Sequence, residues 1–233
     1  DTLTYFQSPP HQRPGKYHQL IFSMDYFYNE RYLLPLSHDE GVHGKATIAQ
    51  KMYGEYEGKF PQARALYLYM MAHPGKKLNF MGFELAQLRE WDERRQQDWE
   101  LLRYPVHDGF AHFIQTLNHL YLESPALWQQ DYSREGFRWL ACEPGPACLY
   151  AWERRGGGQQ ALRVRVRGAG QRAEKLRDAR DEKRRARGRA IAVKERVRYS
   201  ERLRRERHAL VDEVVFAPER VVRAAADVEL QLQ

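Results

Sequence analysis

Residues 32–45 read Y-L-L-P-L-S-H-D-E-G-V-H-G-K. A short apolar run, Tyr32 to Leu36, stops abruptly on Ser37; His38, Asp39 and Glu40 follow at once, and His43 comes shortly after. An apolar run of this length bounded by polar residues predicts a short buried strand. Its polar end sets a histidine and two carboxylates at the strand's carboxyl edge, which is where α/β folds carry their chemistry. The pattern then repeats. K-K-L-N-F-M (76–81) predicts a second short strand, again followed by a glycine and a carboxylate in G-F-E (82–84).

The segments around these two strands predict helices. K-Y-H-Q-L-I-F-S-M-D-Y-F-Y-N (16–29) is long and aromatic enough for one, and Q-A-R-A-L-Y-L-Y-M-M-A (62–72) is apolar nearly all round, as in a buried helix stopped by H-P-G. Val106, Phe110, Phe113, Ile114, Leu117, Leu120 and Tyr121 form an apolar stripe at helical spacing, with polar residues such as His107 and His112 between them. Pro125 lies just past its end. Phe137–Cys142 and Cys148–Glu153 then read as a hairpin joined by a Pro-Gly turn. Strands alternating with helices predict an α/β fold built on a parallel sheet or barrel. A complete eight-stranded barrel takes roughly 250 residues, so residues 1–124 are expected to supply only part of one. The hairpin marks the start of an all-β domain over 125–160, and 161–233 is an Arg-rich tail.

Composition separates the tail from the rest. Residues 161–233 hold 21 of the 38 Lys and Arg and 12 of the 31 Asp and Glu, a net charge of +9, whereas the first 160 residues carry −2. Only Tyr199 and Phe216 of the 29 aromatic residues lie in the tail. Residues 163–167, R-V-R-V-R, read as one strand, but 171–207 shows no usable apolar stripe. A frame-shifted or otherwise mis-assembled C-terminus, disordered or helical, is one expectation for this segment. A basic nucleic-acid-binding module is its rival, since 18 arginines among 73 residues offer many phosphate contacts. Interleaved acids, scarce aromatics and the lack of any nucleic-acid motif disfavour it.

No run of about 18 apolar residues occurs, so no membrane span is expected. The first residue is Asp1 rather than Met and nothing near it resembles a signal peptide. The chain is therefore expected to be cut from something longer, and to be cytoplasmic. Cys142 and Cys148 are too few for a disulfide framework and are expected to be reduced thiols.

Taken alone, His38 and Asp39 admit two readings. At a strand end both can reach a ligand cleft, the aspartate accepting sugar hydroxyls or facing a developing positive charge. Equally, Ser37 or Asp39 can cap a helix while His38 sits on the surface. Glu40 and His43 share whichever reading holds. The run H-D-E-x-x-H contains metal-ligand types but is not H-E-x-x-H, and no zinc helix is expected. No G-x-S-x-G elbow occurs, and G-G-G (156–158) lacks the lysine of a phosphate loop. Trp91 and Trp99 flank R-E-W-D-E-R-R-Q-Q-D-W; on spacing, packing is favoured over stacking on a sugar.

In combination, L-P-L-S-H-D-E-G-V-H-G-K, then M-A-H-P-G-K-K-L-N-F-M-G-F-E-L-A-Q-L-R-E-W, then D-W-E-L-L closely resemble the 1,4-α-glucan (glycogen) branching enzymes of the α-amylase superfamily, glycoside hydrolase family 13. The resemblance runs from Asp1 to about Arg155. It implies the C-terminal part of a (β/α)8 TIM barrel followed by an all-β domain, no cofactor, and an α-glucan such as glycogen or amylose as substrate. It also implies that Asp39 stabilises the transition state with His38 beside it, and that Glu40, His43, Glu84 and Trp91 contact substrate. The family's nucleophile and acid/base lie on earlier barrel strands, and no segment here matches them. Phe83 stands where the family usually has Asn, Leu85 where it has Phe, and Gly41 where it has Val. A debranching or trehalose-forming relative of the same superfamily is the alternative within the class; S-H-D-E and R-E-W argue against it.

Overall fold

A computed structural model describes residues 1–142, 148–157, 161–167, 212–216, 220–224 and 228–232. The chain opens with helix α1 (Thr2–Gln7). The single helix expected over 16–29 is broken into α2 (His18–Ile21), α3 (Ser23–Tyr26) and a 3-10 turn at Phe27–Asn29. Aromatic residues hold a helix weakly, and here they are claimed by separate neighbours. Phe27 stacks on Tyr132 with ring centroids 5.9 Å apart and meets the His73 ring at 5.4 Å.

Strand β1 (Leu33–Leu36) is followed by α4 (Ile48–Lys51), α5 (Tyr56–Ala72), β2 (Lys76–Asn79) and α6 (Pro105–Glu123). β1 and β2 pair in parallel, from Leu33 opposite Lys76 to Leu36 opposite Asn79. α6 buries Phe110, Phe113, Ile114 and Leu117 of the expected stripe. His107, expected on its polar face, is fully buried, and Nδ1–H donates to the Leu85 carbonyl at 2.7 Å.

β1 is not the buried strand its sequence predicts. Parallel strands are buried when helices cover both faces, and among the described residues only one face is covered. Tyr67 on α5 donates its hydroxyl to Asn79 Oδ1 at 2.9 Å, and the Lys77 ammonium sits over the Tyr121 ring of α6 at 5.6 Å. On the other face Leu33 and Leu78 are 57% and 41% exposed. Among the described residues no third strand joins this sheet and no barrel closes, so the fold is a mixed α/β arrangement of small parallel and antiparallel sheets.

The hairpin forms as expected, β3 (Phe137–Ala141) against β4 (Leu149–Arg155), and β5 (Ala161–Arg167) adds to it. Strands also form at β6 (Asp212–Phe216), β7 (Arg220–Ala224) and β8 (Val228–Leu232), with β8 pairing to β5. The Arg-rich average conceals them, because D-E-V-V-F, R-V-V-R-A and V-E-L-Q-L are short β-branched or alternating runs. Of the tail of residues 161–233, for which a frame-shifted, disordered or helical segment is expected, 168–211, 217–219, 225–227 and 233 lie outside the described residues. Tyr150, Trp152, Leu162, Val164 and Val166 join the same core as α5, and Trp152 Nε1–H donates to the Ala72 carbonyl at 3.1 Å. Cys148 is a free, buried thiol.

A charged joint seals this contact at the end of α5. Arg154 donates to Asp131 Oδ1 at 2.8 Å and to the carbonyls of Ala72 and Gly136, and Lys76 donates to Asp131 Oδ2 at 2.8 Å. His73 is buried beside it. Since a carbonyl only accepts, its Nδ1–H donates to Pro74 O at 2.8 Å, leaving Nε2 to accept from the Ser23 hydroxyl at 2.9 Å.

Burial lowers the His73 pKa from 6.5 to about 3 despite the Pro74 bond. Between those values the unfolded chain binds a proton that the folded chain refuses. Stability therefore falls as pH drops below 6.5, by about 1.4 kcal/mol per pH unit at most, until the folded form titrates. Urea unfolding of the chain between pH 7 and 4 should show this slope, and His73→Asn should flatten it. An unchanged slope in His73→Asn would remove His73 as its source.

Candidate functional site

Ser37 continues β1 in extended geometry, and His38–Glu40 then turn as one 3-10 loop closed by the Gly41 N–H on the His38 carbonyl at 2.8 Å. Ser37 occupies the cap position without a side-chain capping bond. The turn thus follows from the strand ending, with both side chains free to project. His38 Nε2 lies 3.4 Å from Asp39 Oδ1, and the two side chains are 53% and 71% exposed.

The end of β2 comes alongside. Phe80 N–H donates to the Leu36 carbonyl at 2.8 Å, extending the parallel pairing to the strand tips. The Phe80 ring stands 5.8 Å from His38 and 5.3 Å, edge to face, from the half-buried Trp91. His38, Asp39 and Trp91 therefore gather at the carboxyl ends of β1 and β2 around Phe80. The arrangement presents an exposed carboxylate, an imidazole and an aromatic flank on one open surface. Trp99 is elsewhere and exposed.

The remaining predicted residues are distributed more widely. Glu40 is half-buried, with its carbonyl accepting from Lys51 Nζ at 2.5 Å. His43 is exposed on the following loop, with a left-handed φ of 59°. Glu84 lines a separate open depression of about 550 Å³, bounded by Leu78, Met81, Ile114 and Asn118, which shares Phe80 with the His38 cluster. Among the described residues no three His, Cys, Asp or Glu side chains gather as metal ligands.

Gly41 and Phe83 touch one another across the loop. A Cβ built on Gly41 would lie 2.6 Å and 2.7 Å from Cζ and Cε1 of Phe83, which is itself buried. A side chain at 41 would therefore require the Phe83 ring to shift.

The residues that hold the loop escaped sequence reading. Glu90 accepts from the N–H groups of Gly44 and Ala46, and Lys51 donates to three carbonyls. Only a local capping signal was visible: T-I-A-Q (47–50), in which Thr47 and Gln50 cap α4 reciprocally.

No family model matches the chain. It is 43% identical over 164 residues to the 1,4-alpha-glucan branching enzyme GlgB 1 of Rhizobium etli, covering 70% of this chain and 22% of that protein. It is 46% identical over 154 residues to the 1,4-alpha-glucan branching enzyme GlgB of Pseudomonas putida, and 49% identical over 140 residues to that of Aquifex aeolicus. Those matches cover 66% and 60% of this chain, and 21% and 22% of the relatives. The chain thus spans about a fifth of the length of the curated relatives it matches. Over that stretch it is similar, at the family level, to the GlgB-type 1,4-alpha-glucan branching enzymes of the α-amylase superfamily.

Proposed function

We propose that this chain is the part of a 1,4-α-glucan branching enzyme that forms one wall of its glucan site. Residues 1–124 belong to the C-terminal portion of the catalytic barrel, and 125–160 begin the β domain. The observation that carries this reading is the 43% identity over 164 residues. The gathering of His38, Asp39 and Trp91 at two parallel strand ends supports it.

The reaction breaks an α-1,4 bond and moves the freed segment to a 6-hydroxyl with retained configuration. Retention needs a carboxylate nucleophile and a second carboxyl that protonates the departing 4-oxygen and later takes the proton of the 6-hydroxyl. Asp39 and His38 do neither. Asp39 accepts the hydroxyls of the sugar being attacked and faces the positive charge that develops on its ring; His38 donates to the same sugar. Glu40, His43, Glu84 and Trp91 line the path of the glucan. Since the nucleophile and proton donor belong to segments this chain does not match, the chain alone turns nothing over.

The test is a chimera in which residues 1–155 of this chain replace the matched segment of the Rhizobium etli enzyme. Incubated with amylose, it should create α-1,6 linkages, counted after debranching of the product, while the 233-residue chain alone creates none. Net loss of α-1,6 linkages from glycogen, or trehalose as product, would move the chain to another activity of the superfamily. Turnover by the isolated chain would overturn the assignment of roles.

A further inference from the structure

The loop after β1 is held by two charged side chains that lie outside the His38–Asp39 turn. His43, Gly44 and Ala46 have left-handed φ values of 59°, 77° and 65°. These turns bring the Gly44 and Ala46 N–H groups to one side, while the Lys45 N–H between them donates to the Val42 carbonyl at 3.3 Å. Glu90 reaches the pair from a distant segment of the chain. Its Oε2 accepts from Gly44 N–H at 2.9 Å and its Oε1 from Ala46 N–H at 2.7 Å. Lys51 takes the opposite polarity, donating from Nζ to the carbonyls of Glu40, Lys45 and Ala46 at 2.5 Å each. The adjacent Trp91 N–H closes the contact on the Gly41 carbonyl at 3.3 Å.

This hold bears on the candidate groups because their own side chains are scarcely held. Asp39 is largely exposed, with the His38 ring 3.4 Å away. The position of its carboxylate is therefore set by the backbone of residues 38–41. That backbone is tied to the loop by Lys51 on the Glu40 carbonyl and by Lys45 Nζ on the Asp39 carbonyl at 3.0 Å. His43 and Ala46 occupy a conformation that residues with a Cβ leave unless their surroundings hold it. The Gly44 and Ala46 N–H groups also keep the Glu90 carboxyl below its ordinary pKa, with Lys51 and His43 adding to the effect, so Glu90 is an anion at neutral pH.

We propose that Glu90 is a positioning residue of the glucan site, whose carboxylate locks the loop of residues 41–46 and so sets where Asp39 and His38 stand. The inference rests on the functional reading of Asp39 and adds the residue that acts through it. A glutamine at 90 keeps the size but offers one acceptor oxygen and turns an NH2 group toward the second N–H, so it loses one of the two bonds.

The experiment uses the full 233-residue chain as wild type, E90A, E90Q, D39N and D39N/E90A. Hydrogen exchange read at single amides by mass spectrometry should show Gly44 and Ala46 exchanging about tenfold faster in E90A. E90Q should fall between, and amides of α6 should keep their wild-type rates, showing that the fold is intact. Maltoheptaose affinity, by titration calorimetry, should fall about fivefold from wild type to E90A and stay level from D39N to D39N/E90A. That non-additivity separates positioning of Asp39 from a purely structural role. Unchanged exchange at Gly44 and Ala46 in E90A overturns the hold, and equal affinity losses in both backgrounds overturn its link to Asp39. Wild-type affinity in D39N instead overturns the reading that Asp39 accepts sugar hydroxyls in the bound ground state, and the site role of Glu90 with it, while the exchange rates still decide the hold itself.

Discussion

D39N in the chimeric branching enzyme should lower the rate of α-1,6 branch formation by about a thousandfold, equivalent to ~4 kcal/mol of transition-state stabilisation. The substitution preserves the volume of the side chain and removes its negative charge. It also turns an acceptor-only group into one that presents an NH2 to sugar hydroxyls. Such a group acts most where positive charge develops, so the loss should fall on the rate at saturating amylose more than on the amylose concentration needed for half-maximal rate. Folding should be unaffected, because the Asp39 side chain is 71% exposed and faces solvent. The unfolding midpoint in urea, measured beside the branching assay, checks that separation. A folded D39N chimera that branches within tenfold of its parent would remove Asp39 from the chemistry.

D131N should destabilise the chain by about 3–5 kcal/mol, because it leaves the Arg154 guanidinium buried without its counter-charge. Arg154 and Asp131 side chains are 0% and 1% exposed, so water cannot replace the lost partner. Lys76 loses its carboxylate by the same change. Removing both members, as in D131L/R154M, should cost less than the sum of the single changes, since no orphaned charge remains. The Ala72 carbonyl would still accept from Trp152 Nε1. Burial raises the Asp131 pKa, but the bonds from Lys76 and Arg154 outweigh it and leave the carboxyl below its ordinary value of 3.8. The stability this contributes is present above 3.8 and disappears as pH falls through the lower folded value. That window lies beneath most of the one governed by His73. Urea titration of the variants at pH 7 measures the cost, and a loss under 1 kcal/mol for D131N would show that the joint is wetter than its geometry implies.

The local pattern of residues was enough for the succession β1, α5, β2 and α6, the α6 stripe, the β3–β4 hairpin and the candidate pair at the end of β1, but not for α1, α4 or the break within 16–29. These depend on periodicity and on neighbours in sequence, which a chain displays directly. Tertiary structure alone decided the rest. Leu33 reads as core yet stands exposed, because the burial of a parallel strand depends on what covers each face. His107 reads as solvated yet is buried, because the Leu85 carbonyl is there to accept its proton. Glu90 reads as one acid in a charged run, and Gly41 and Phe83 read as unrelated positions. Their meaning lies in N–H groups 46 and 44 residues away and in one ring filling the space beside one missing Cβ. A sequence states which groups a chain owns; which of them meet is set by the packing of segments far apart along it.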